Sequence, residues 1–522
     1  MTQSKAYIVR ISLIVALGGF LMGFDASVIS GVVKFIEPHF DLTKLQLGWA
    51  VSCLTLTATL AMVVAGPLSD RFGRLIILKY AAVLYAVSAI ASALAPTFWF
   101  LVVARMIGGL GVGASLILAP LYIAEISPAK VRGTMVSFNQ LNIVIGISVA
   151  FFTNYLILRL GNDPSSWGSA LYIDAYNWRW MLGLETLPAV LYFIFLYLVP
   201  ESPRWLAMKG QDAKAMDILS KVGTQEEAEG TLQAIKQNLK NTAKKVRVPV
   251  AELFKPSMKL VMLIGVVVAI TQQITGINAV FFYAPMIFEQ TGIGTDAAFS
   301  QAILVGLTNL VFTILAMWMI DTFGRKLLLI VGLSGIVISM SLLAIAFGTA
   351  TYQLNNEDIS VLQQTIESNQ WEKIKDVTYD SDLAFKNAIA NSIGEQHLKA
   401  NESAFLTRAI NINPWLVLMG IIGFVASFAV SLGPVMWVLF SELFPNQVRG
   451  LAISFVGFIN SGVSFFVQLV FPWEIANFGS STTFLIYGTF GAVGLLMIAI
   501  YLPETKGKTL EELETSLVTN SN

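Results

Sequence analysis

Hydrophobic and polar positions alternate along this chain in long blocks. Twelve stretches of about 20 mostly apolar residues are each long enough to form a helix that crosses a bilayer, and short polar segments separate them. The predicted spans are residues 8–30, 47–66, 76–95, 98–124, 134–158, 181–199, 260–288, 300–320, 327–349, 414–440, 451–473 and 482–502. The pattern therefore predicts an all-α membrane protein with twelve transmembrane helices.

The composition excludes several other classes of protein. Of the 522 residues, 55% are hydrophobic and 13% are charged, and the mean hydropathy is +0.70. A soluble chain of this kind would expose large apolar patches, which soluble monomers rarely do. A soluble enzyme, a disordered chain and a secreted disulfide scaffold are therefore excluded. The single cysteine, Cys53, excludes internal disulfides and a cysteine-based metal site, and a net charge of zero gives no indication of a nucleic-acid partner.

Basic residues are distributed unequally between the two sets of loops. With the N-terminus placed inside, 23 of the 33 Lys and Arg residues fall on the inner side, nine fall outside, and Arg105 lies within a span. Cytoplasmic loops of membrane proteins carry an excess of Lys and Arg. We therefore expect both termini to be cytoplasmic.

Three short loop motifs occur twice, in the same order and six spans apart. The pairs are 66–74 with 321–326, 125–133 with 442–450, and 200–202 with 503–505. Two similar halves around a central site are an architecture of many secondary transporters. The repeat predicts an N-terminal six-helix bundle (1–200), a helical cytoplasmic linker (201–259), a C-terminal six-helix bundle (260–503) and a cytoplasmic tail (504–522).

The second half is longer than the first by an insertion at about 350–413. Apolar residues recur within it at helical spacing, as Ile359, Leu362 and Ile366 and again as Phe385 and Ile389. We expect short helices that form a cap outside the membrane.

The repeated loops place charged residues at the predicted cytoplasmic ends of the helices. Seven of these residues form a candidate cytoplasmic gate: Asp70, Arg74, Glu125, Arg132, Arg325, Glu442 and Arg449. Exposed ion pairs contribute only about 0–1 kcal/mol each, which suits contacts that bridge two halves and break in every cycle. The alternative is that they only mark topology and cap helices.

Three charged residues lie more than three positions inside the predicted spans: Asp25, Arg105 and Glu185. A charge within the membrane is unfavourable in free energy, so each of these residues is expected to have a partner or a functional role. Asp25 and Arg105 are expected at similar depths, where they can pair, and Glu185 is near enough to join them. Separation of the pair would favour proton uptake by Asp25, so we predict a proton switch. A static pair that only holds helices together is the alternative.

Several longer strings make the chain resemble a known family. They are 105–109 (RMIGG), 178–180 (WRW), 200–205 (PESPRW), 272–278 (QQITGIN) and 503–507 (PETKG), together with the repeated loops. Across nearly its whole length the sequence resembles the sugar porter family of the major facilitator superfamily. The resemblance implies the major facilitator fold of two six-helix bundles and a role in sugar transport. It also implies proton coupling, because proton-coupled members carry Asp in the segment that is Gly23-Phe24-Asp25 here.

Uncharged amides and aromatic residues within the spans suit a sugar, because amides both donate and accept hydrogen bonds as sugar hydroxyls do. Asn278 follows Gln273 by five residues with Gly276 between them, so a bent helix would aim both inward. By resemblance, the candidate sugar contacts are Gln140, Gln272, Gln273, Asn278, Asn309, Trp437 and Asn460. Hydrogen bonding between helices is the alternative role for such amides.

The leading hypothesis is a multi-pass protein of the cell membrane that takes up a monosaccharide with a proton by alternating access. The expected substrate is a hexose, a pentose or an inositol-like compound, and the chain is expected to act as a monomer. Passive facilitation by the same site is the alternative, and a sugar sensor that does not transport is less favoured by the short tail. No nucleotide-binding loop, metal cluster or nucleophile triad appears in the sequence, so we expect no enzyme activity, cofactor or metal. The glycines at 108, 109, 111 and 113 are expected to permit tight helix packing.

Overall fold

The computed structural model describes residues 3–128, 131–163, 167–243, 249–363, 366, 370–445, 447–506, 508 and 512, and most of them are α-helical. The helices of the first 250 residues are α1 (Gln3–His39), α2 (Lys44–Phe72), α3 (Arg74–Ala93), α4 (Phe98–Ile126), α5 (Arg132–Asn162), α6 (Ile173–Gly183), α7 (Thr186–Phe195), α8 (Pro203–Met208), α9 (Asp212–Val222) and α10 (Gln225–Ala243). Those that follow are α11 (Lys259–Ile274), α12 (Ile277–Glu289), α13 (Thr295–Phe323), α14 (Arg325–Gly348), α15 (Asn356–Leu362), α16 (Asp382–Ile393), α17 (Glu395–Ala409), α18 (Pro414–Val430), α19 (Leu432–Leu443) and α20 (Arg449–Tyr501).

The described chain also contains two short strands, β1 (Thr351–Tyr352) and β2 (Ile410–Asn411), which pair antiparallel. Thr351 lies opposite Asn411 in this pair, and Tyr352 lies opposite Ile410. The strands join the two ends of the 350–413 insertion and so close it at its base.

Eleven helical segments of the described residues are long and apolar enough to cross a membrane. Three of them consist of two successive helices: α6 with α7, α11 with α12, and α18 with α19. The last segment, α20, has 53 residues, about 80 Å at 1.5 Å per residue, which is far longer than a bilayer core of about 30 Å. Gly479 interrupts it with φ 78° and ψ 165°. The helical parts on either side of Gly479 correspond to the last two predicted spans.

By its contacts the described chain divides into two compact units. The first comprises Met1–Val28, Cys53–Ala150 and Tyr176–Arg247, and the second comprises Ile29–Ser52, Phe151–Ala175 and Val248–Asn522. These two units are defined by the contacts between residues, whereas the two predicted halves are defined by the repeated loop motifs. The C-terminal part of α1 and the beginning of α2 therefore belong to the second unit, although the repeat assigns both helices to the first half.

Glycines allow close helix packing within the first unit. A Cβ added at Gly109 would lie 2.4 Å from the Leu54 carbonyl oxygen of α2, and one at Gly113 would lie 2.1 Å from that of Ala58. Gly146 of α5 packs in the same way against α1, where an added Cβ would lie 2.1 Å from the Phe20 carbonyl oxygen. The prediction that the glycines of α4 permit tight packing is confirmed for Gly109 and Gly113.

The linker segment after residue 200 is helical in its described part. It forms α8, α9 and α10, and α9 buries Ala215, Ile218, Leu219 and Val222 on one face. Residues 244–248 of the predicted linker and most of the predicted tail (504–522) lie outside the described residues.

The 350–413 insertion has a small hydrophobic core of its own. It forms α15, α16 and α17 and buries Ile359 and Leu362 on α15 and Phe385, Ile389 and Ile393 on α16. Ile366 is also buried but lies beyond the end of α15. The apolar spacing in the sequence therefore corresponds to short helices, and the position of the cap outside the membrane stays a prediction.

Candidate functional site

Asp25 on α1 and Arg105 on α4 form a buried ion pair within the first unit. Arg105 Nη1 lies 3.4 Å from Asp25 Oδ1, and each side chain is 2% exposed. Neither residue could be buried in an apolar bundle alone without a large cost in free energy. The structure thus brings together the two charges expected to pair, and their role in proton coupling stays a prediction.

Glu185 lies close to this pair, at the break between α6 and α7. It is 2% exposed and interacts electrostatically with both Asp25 and Arg105. Within the described chain, Asp25 Oδ2 and Glu185 Oε1 have no hydrogen-bond partner. Each carboxyl group therefore has an oxygen that can take a proton without breaking a described hydrogen bond.

Small residues make room for these carboxyl groups. A Cβ added at Gly108 would lie 3.0 Å from Asp25 Oδ2 and 2.5 Å from Ser88 Oγ. One added at Gly23 would lie 2.0 Å from the Ile143 carbonyl oxygen. Glycine at these two positions therefore permits the approach of α4 and α5 to the segment of α1 that carries Asp25, and of α3 to α4.

The sequence reasoning missed the polar groups that α3 contributes near the pair. Tyr85 is fully buried and interacts electrostatically with Asp25 and Glu185, and Ser88 is 3% exposed. The two residues are three positions apart on α3, so they share one face. That spacing is the signal that would have identified them.

The predicted sugar-binding amides form a hydrogen-bond network in the second unit. Gln273 Nε2 donates to Gln272 Oε1 at 2.8 Å and to Asn460 Oδ1 at 3.2 Å, and Asn278 Nδ2 donates to Gln273 Oε1 at 2.8 Å. Asn460 Nδ2 in turn donates to Gln272 Oε1 at 2.6 Å. Gly276 separates α11 from α12 with φ 91°, a value that favours glycine. The resulting bend places Gln273 and Asn278, on successive helices, in direct contact.

Two further residues of α20 extend the network and were not among the predicted sugar contacts. Asn278 Nδ2 donates to Ser464 Oγ at 2.6 Å, and Gln468 Nε2 donates to the same oxygen at 2.8 Å. Tyr283 donates to the backbone oxygen of Gln468 at 3.0 Å. Asn460, Ser464 and Gln468 are four residues apart, so they lie on one face of the helix.

The other predicted sugar contacts stand apart from this network. Asn309 is buried on α13, Trp437 of α19 is 45% exposed and packs edge-on against Phe440, and Gln140 of α5 is exposed in the first unit. The described hydrogen bonds of the network include none of the three. The network itself can exchange partners with a sugar, because an amide can give up a neighbouring amide and bond a hydroxyl that also donates and accepts.

Three of the four predicted gate residues in the first unit form one ion-pair cluster. Arg74 Nη1 donates to Asp70 Oδ1 at 2.7 Å, and Arg74 Nε and Nη2 donate to the Glu125 carboxylate at 3.1 and 3.2 Å. The Ser202 hydroxyl donates to the same carboxylate at 2.5 Å. The guanidinium group of Arg74, at the start of α3, thus joins the last turn of α2 to the end of α4.

The second unit repeats this cluster at the corresponding positions. Arg325 Nη2 lies 2.8 Å from Glu442 Oε1, and the Thr505 hydroxyl donates to Glu442 Oε2 at 2.7 Å. Arg132 and Arg449 also match, because each donates to the backbone oxygen five residues earlier, at 3.4 and 3.0 Å respectively. These described contacts all lie within one unit or the other, and the predicted bridging between halves stays a prediction.

Two glutamates outside the predicted gate complete the symmetry. Glu201 accepts hydrogen bonds from the backbone N–H groups of Arg74 and Leu75 at the start of α3, and Glu504 accepts those of Arg325 and Lys326 at the start of α14. The backbone N–H groups outweigh desolvation and hold the pKa of Glu504 below its ordinary value. Desolvation prevails at the more buried Glu201, and the pKa of this carboxyl is raised. The repeated Pro-Glu-Ser and Pro-Glu-Thr motifs therefore mark helix caps.

In the part of the chain that is described, no group of three or more His, Cys, Asp or Glu side chains could hold a metal ion. The polar side chains of the site described above are amides, hydroxyls and charged groups. Such groups can bind a neutral polar molecule and exchange a proton.

Comparisons with known proteins agree over almost the whole chain. The sequence profile of the family described as Sugar (and other) transporter matches residues 11–363 and 400–517. The chain is 33% identical to the arabinose-proton symporter of Bacillus subtilis and 35% identical to the D-xylose-proton symporter of Escherichia coli, with 98% of this chain and 96% of each relative covered. It is also 32% identical to the glucose transport protein of Synechocystis, with 98% of both chains covered.

Solved structures show the same agreement in fold. The inward open conformation of the xylose transporter XylE from E. coli matches with a TM-score of 0.74 at 33% identity, covering 98% of this chain and all of that one. XylE bound to 6-bromo-6-deoxy-D-glucose matches with a TM-score of 0.69 at 34% identity, again covering 98% of this chain and all of that one. This multi-pass membrane protein therefore belongs to the sugar porter family of the major facilitator superfamily.

Proposed function

We propose that this protein carries a monosaccharide into the cell together with a proton. Relatives at 33% and 35% identity are named as proton symporters of arabinose and xylose. The observation that carries the proposal is the buried Asp25–Arg105 pair, with Nη1 and Oδ1 3.4 Å apart. A carboxyl group that is buried against one arginine changes its proton affinity whenever the two move apart.

The proposed topology has twelve spans and two cytoplasmic termini. In this arrangement α20 crosses the membrane twice and turns at Gly479, whose φ of 78° ends the first helical part. The N-terminal bundle (1–200) and the C-terminal bundle (260–503) then alternate between openings to the two sides. The linker (201–259) and the tail (504–522) lie in the cytoplasm, and the 350–413 cap lies outside.

In the proposed cycle, Asp25 takes up a proton from the outer side while the sugar enters. Neutral Asp25 loses its attraction for Arg105, which then turns to the remaining carboxylate of Glu185. This exchange of partners permits the change to the inward-facing state, where the proton and the sugar leave. The substrate is unchanged chemically, so the protein acts as a transporter rather than as an enzyme.

The proposed sugar site consists of Gln140, Gln272, Gln273, Asn278, Asn309, Trp437 and Asn460. Amides recognise hydroxyl groups, and an exposed tryptophan ring such as that of Trp437 suits the CH face of a sugar ring. These groups suit a neutral hexose, pentose or inositol-like compound. All seven proposed contact residues belong to one chain, in keeping with function as a monomer.

Uptake of labelled sugars into proteoliposomes tests the proposal. Hexoses, pentoses and inositol are compared with and without a pH gradient. One pH unit supplies about 1.4 kcal/mol per proton, so at one proton per sugar we expect roughly tenfold accumulation. Equal uptake with and without the gradient, and no accumulation, would identify a passive facilitator, and binding without uptake would identify a sensor.

A further inference from the structure

Within the second unit, the 350–413 insertion contacts α12 and α20 on one side and the turn between α1 and α2 on the other. These two sets of contacts differ in burial. The difference indicates which side of the insertion stays attached and which side releases.

The attachment to α20 and α12 is buried. Asp382 of α16 is 7% exposed, and its Oδ2 accepts hydrogen bonds from the Ser480 backbone N–H at 3.0 Å and the Ser480 hydroxyl at 2.9 Å. Beside it, Lys386 donates to Gln290 Oε1 at 2.6 Å, and Gln290 Nε2 donates to Glu402 at 3.1 Å. These contacts cap the helical part that follows Gly479 and hold α16 and α17 to the end of α12.

The attachment to the α1–α2 turn consists of one exposed ion pair and of longer-range charge interactions. Lys399 Nζ lies 3.5 Å from Asp41 Oδ1, and the side chains are 24% and 74% exposed. Lys44, at the start of α2, is paired with Glu37 at 2.5 Å and interacts electrostatically with Glu402 and Glu395 of α17. Exposed ion pairs contribute about 0–1 kcal/mol each and are screened by salt. The Lys399–Asp41 pair can therefore be broken repeatedly at a small cost in free energy.

A cavity of about 380 Å³ separates the two sets of contacts. Its lining includes Lys44, Lys386 and Lys399 and the carboxylates of Asp382, Glu395 and Glu402. Described contacts already pair these charges with one another or with the Ser480 turn, so the cavity has no unmatched charge for a ligand. It provides space in which the ion pairs can rearrange.

We infer that the insertion is an external latch, which remains attached to the second unit and holds the α1–α2 turn through Asp41 and Lys44 when the outer side is closed. The division of the chain by contacts supports this, because Ile29–Ser52 packs with the second unit whereas the rest of α1 and α2 packs with the first. Within the second unit, the same part of α1 forms another ion pair, between Lys34 and Glu289 of α12. The inference rests on the proposed transport cycle, in which the outer side must open once per turnover.

A reversible cross-link tests the latch. Cysteines replace Asp41 and Lys399 in a Cys53→Ser background, and a bifunctional methanethiosulfonate reagent joins them in the full-length protein in proteoliposomes. We expect sugar uptake to fall at least tenfold after linking and to recover after reduction. The control carries Gln370→Cys and Lys373→Cys, which lie together on the exposed side of the insertion, and should keep its uptake after linking. Unchanged uptake by the linked Asp41–Lys399 pair would overturn the latch.

A second measurement does not depend on which sugar is carried. Spin labels at Leu45→Cys and Glu372→Cys, both at exposed positions, report the distance between the turn and the insertion. We expect two distance populations, and at least a twofold rise of the longer one when Asp41→Asn and Lys399→Gln are introduced. A single distance that these substitutions do not change overturns the latch. A protein with two populations that takes up no sugar contradicts the proposed function instead.

Discussion

Asp25 and asparagine differ in little except that asparagine cannot carry a proton. Asp25→Asn keeps the size of the side chain and can still accept a hydrogen bond from Arg105, which lies 3.4 Å away. We therefore expect the variant to bind and exchange sugar but to lose accumulation driven by a pH gradient. Counterflow and gradient-driven uptake in proteoliposomes separate the two activities.

The conservative control for Asp25→Asn is Asp217→Asn. Asp217 forms an exposed ion pair with Lys221 at 2.7 Å, so its loss should leave accumulation unchanged. Accumulation by Asp25→Asn at the rate of the unaltered protein would place the proton path elsewhere, with Glu185 as the next residue to test.

The amide network predicts which polar side chains matter for sugar binding. Gln273→Ala and Asn278→Ala each remove a group that bonds within the network at 2.8 Å. We expect each to weaken sugar binding by about 1–3 kcal/mol, because a buried hydroxyl loses its partner. Calorimetric titration of the purified variants with sugar measures this.

Asn142→Ala is the matched control for these amide variants. Asn142 Nδ2 donates to the backbone oxygen of Phe138 on its own helix at 2.8 Å, so its removal should leave sugar affinity within a factor of about two, since no sugar contact is expected of it. Normal affinity in both Gln273→Ala and Asn278→Ala would mean that the network only holds helices together.

At the scale of single elements, the start of α14 requires glycine before it. Gly324 has φ 87°, and an added Cβ would lie 2.8 Å from the Glu504 carboxylate that caps the helix. We expect Gly324→Ala to lower the free energy of unfolding by about 1–3 kcal/mol, the cost of a non-glycine residue in such a conformation. Thermal unfolding in detergent measures the change.

Gly450, in the first turn of α20, provides the comparison. No atom lies within 4 Å of a Cβ added there, and alanine is favoured over glycine within a helix by up to about 1 kcal/mol. Gly450→Ala should leave the protein as stable or slightly more stable. If both variants unfold at the same temperature, the cap at Gly324 contributes little to stability.

The stability of the insertion is expected to depend on pH through Glu402. Burial alone would raise the pKa of Glu402, but Lys386 and Lys44 outweigh it and hold the pKa well below the ordinary value of 4.5. A lowered pKa in the folded state means that Glu402 contributes stability above pH about 4.5, and that this contribution is lost as the pH falls below that value. Hydrogen exchange of α17 should therefore be constant from pH 8 to 5, after correction for the intrinsic rate, and rise below pH 4.5. A Glu402→Gln variant should lack that rise.

At the scale of the whole molecule, the topology makes a direct prediction. An epitope tag in the 201–259 linker and one in the 350–413 insertion should be accessible from opposite sides of the membrane, because an odd number of spans separates the two segments. Antibody labelling of intact and permeabilised cells measures this. Labelling of both tags in intact cells would contradict the twelve-span topology.

Individual residues show which parts of the site could be predicted from sequence. Asp25 and Arg105 were predictable as partners, because an unpaired charge in an apolar span is unfavourable in free energy and such charges are therefore rare. Tyr85, Ser88 and Ser464 were not, because hydroxyl groups in helices commonly bond their own backbone and only packing brings them to a partner.

The sequence by itself determined the class of the protein, its apolar helices and its internal repeat. These depend on local properties, since the length of an apolar stretch and the spacing of a motif do not require knowledge of the fold. The strings at 200–205 and 272–278 also indicated the family, to which the comparisons then assigned the chain.

Only the tertiary structure decided how residues distant in the chain meet. Gln273 and Asn460 are 187 residues apart yet bond at 3.2 Å, and Lys399 reaches Asp41 across more than 350 positions. The role of Glu201 and Glu504 as helix caps likewise depends on backbone groups more than 120 residues away. Such contacts follow from the packing of whole helices, set by glycines such as Gly146 and Gly109 and by the bend at Gly276, and packing is a property of the assembled chain rather than of any local pattern.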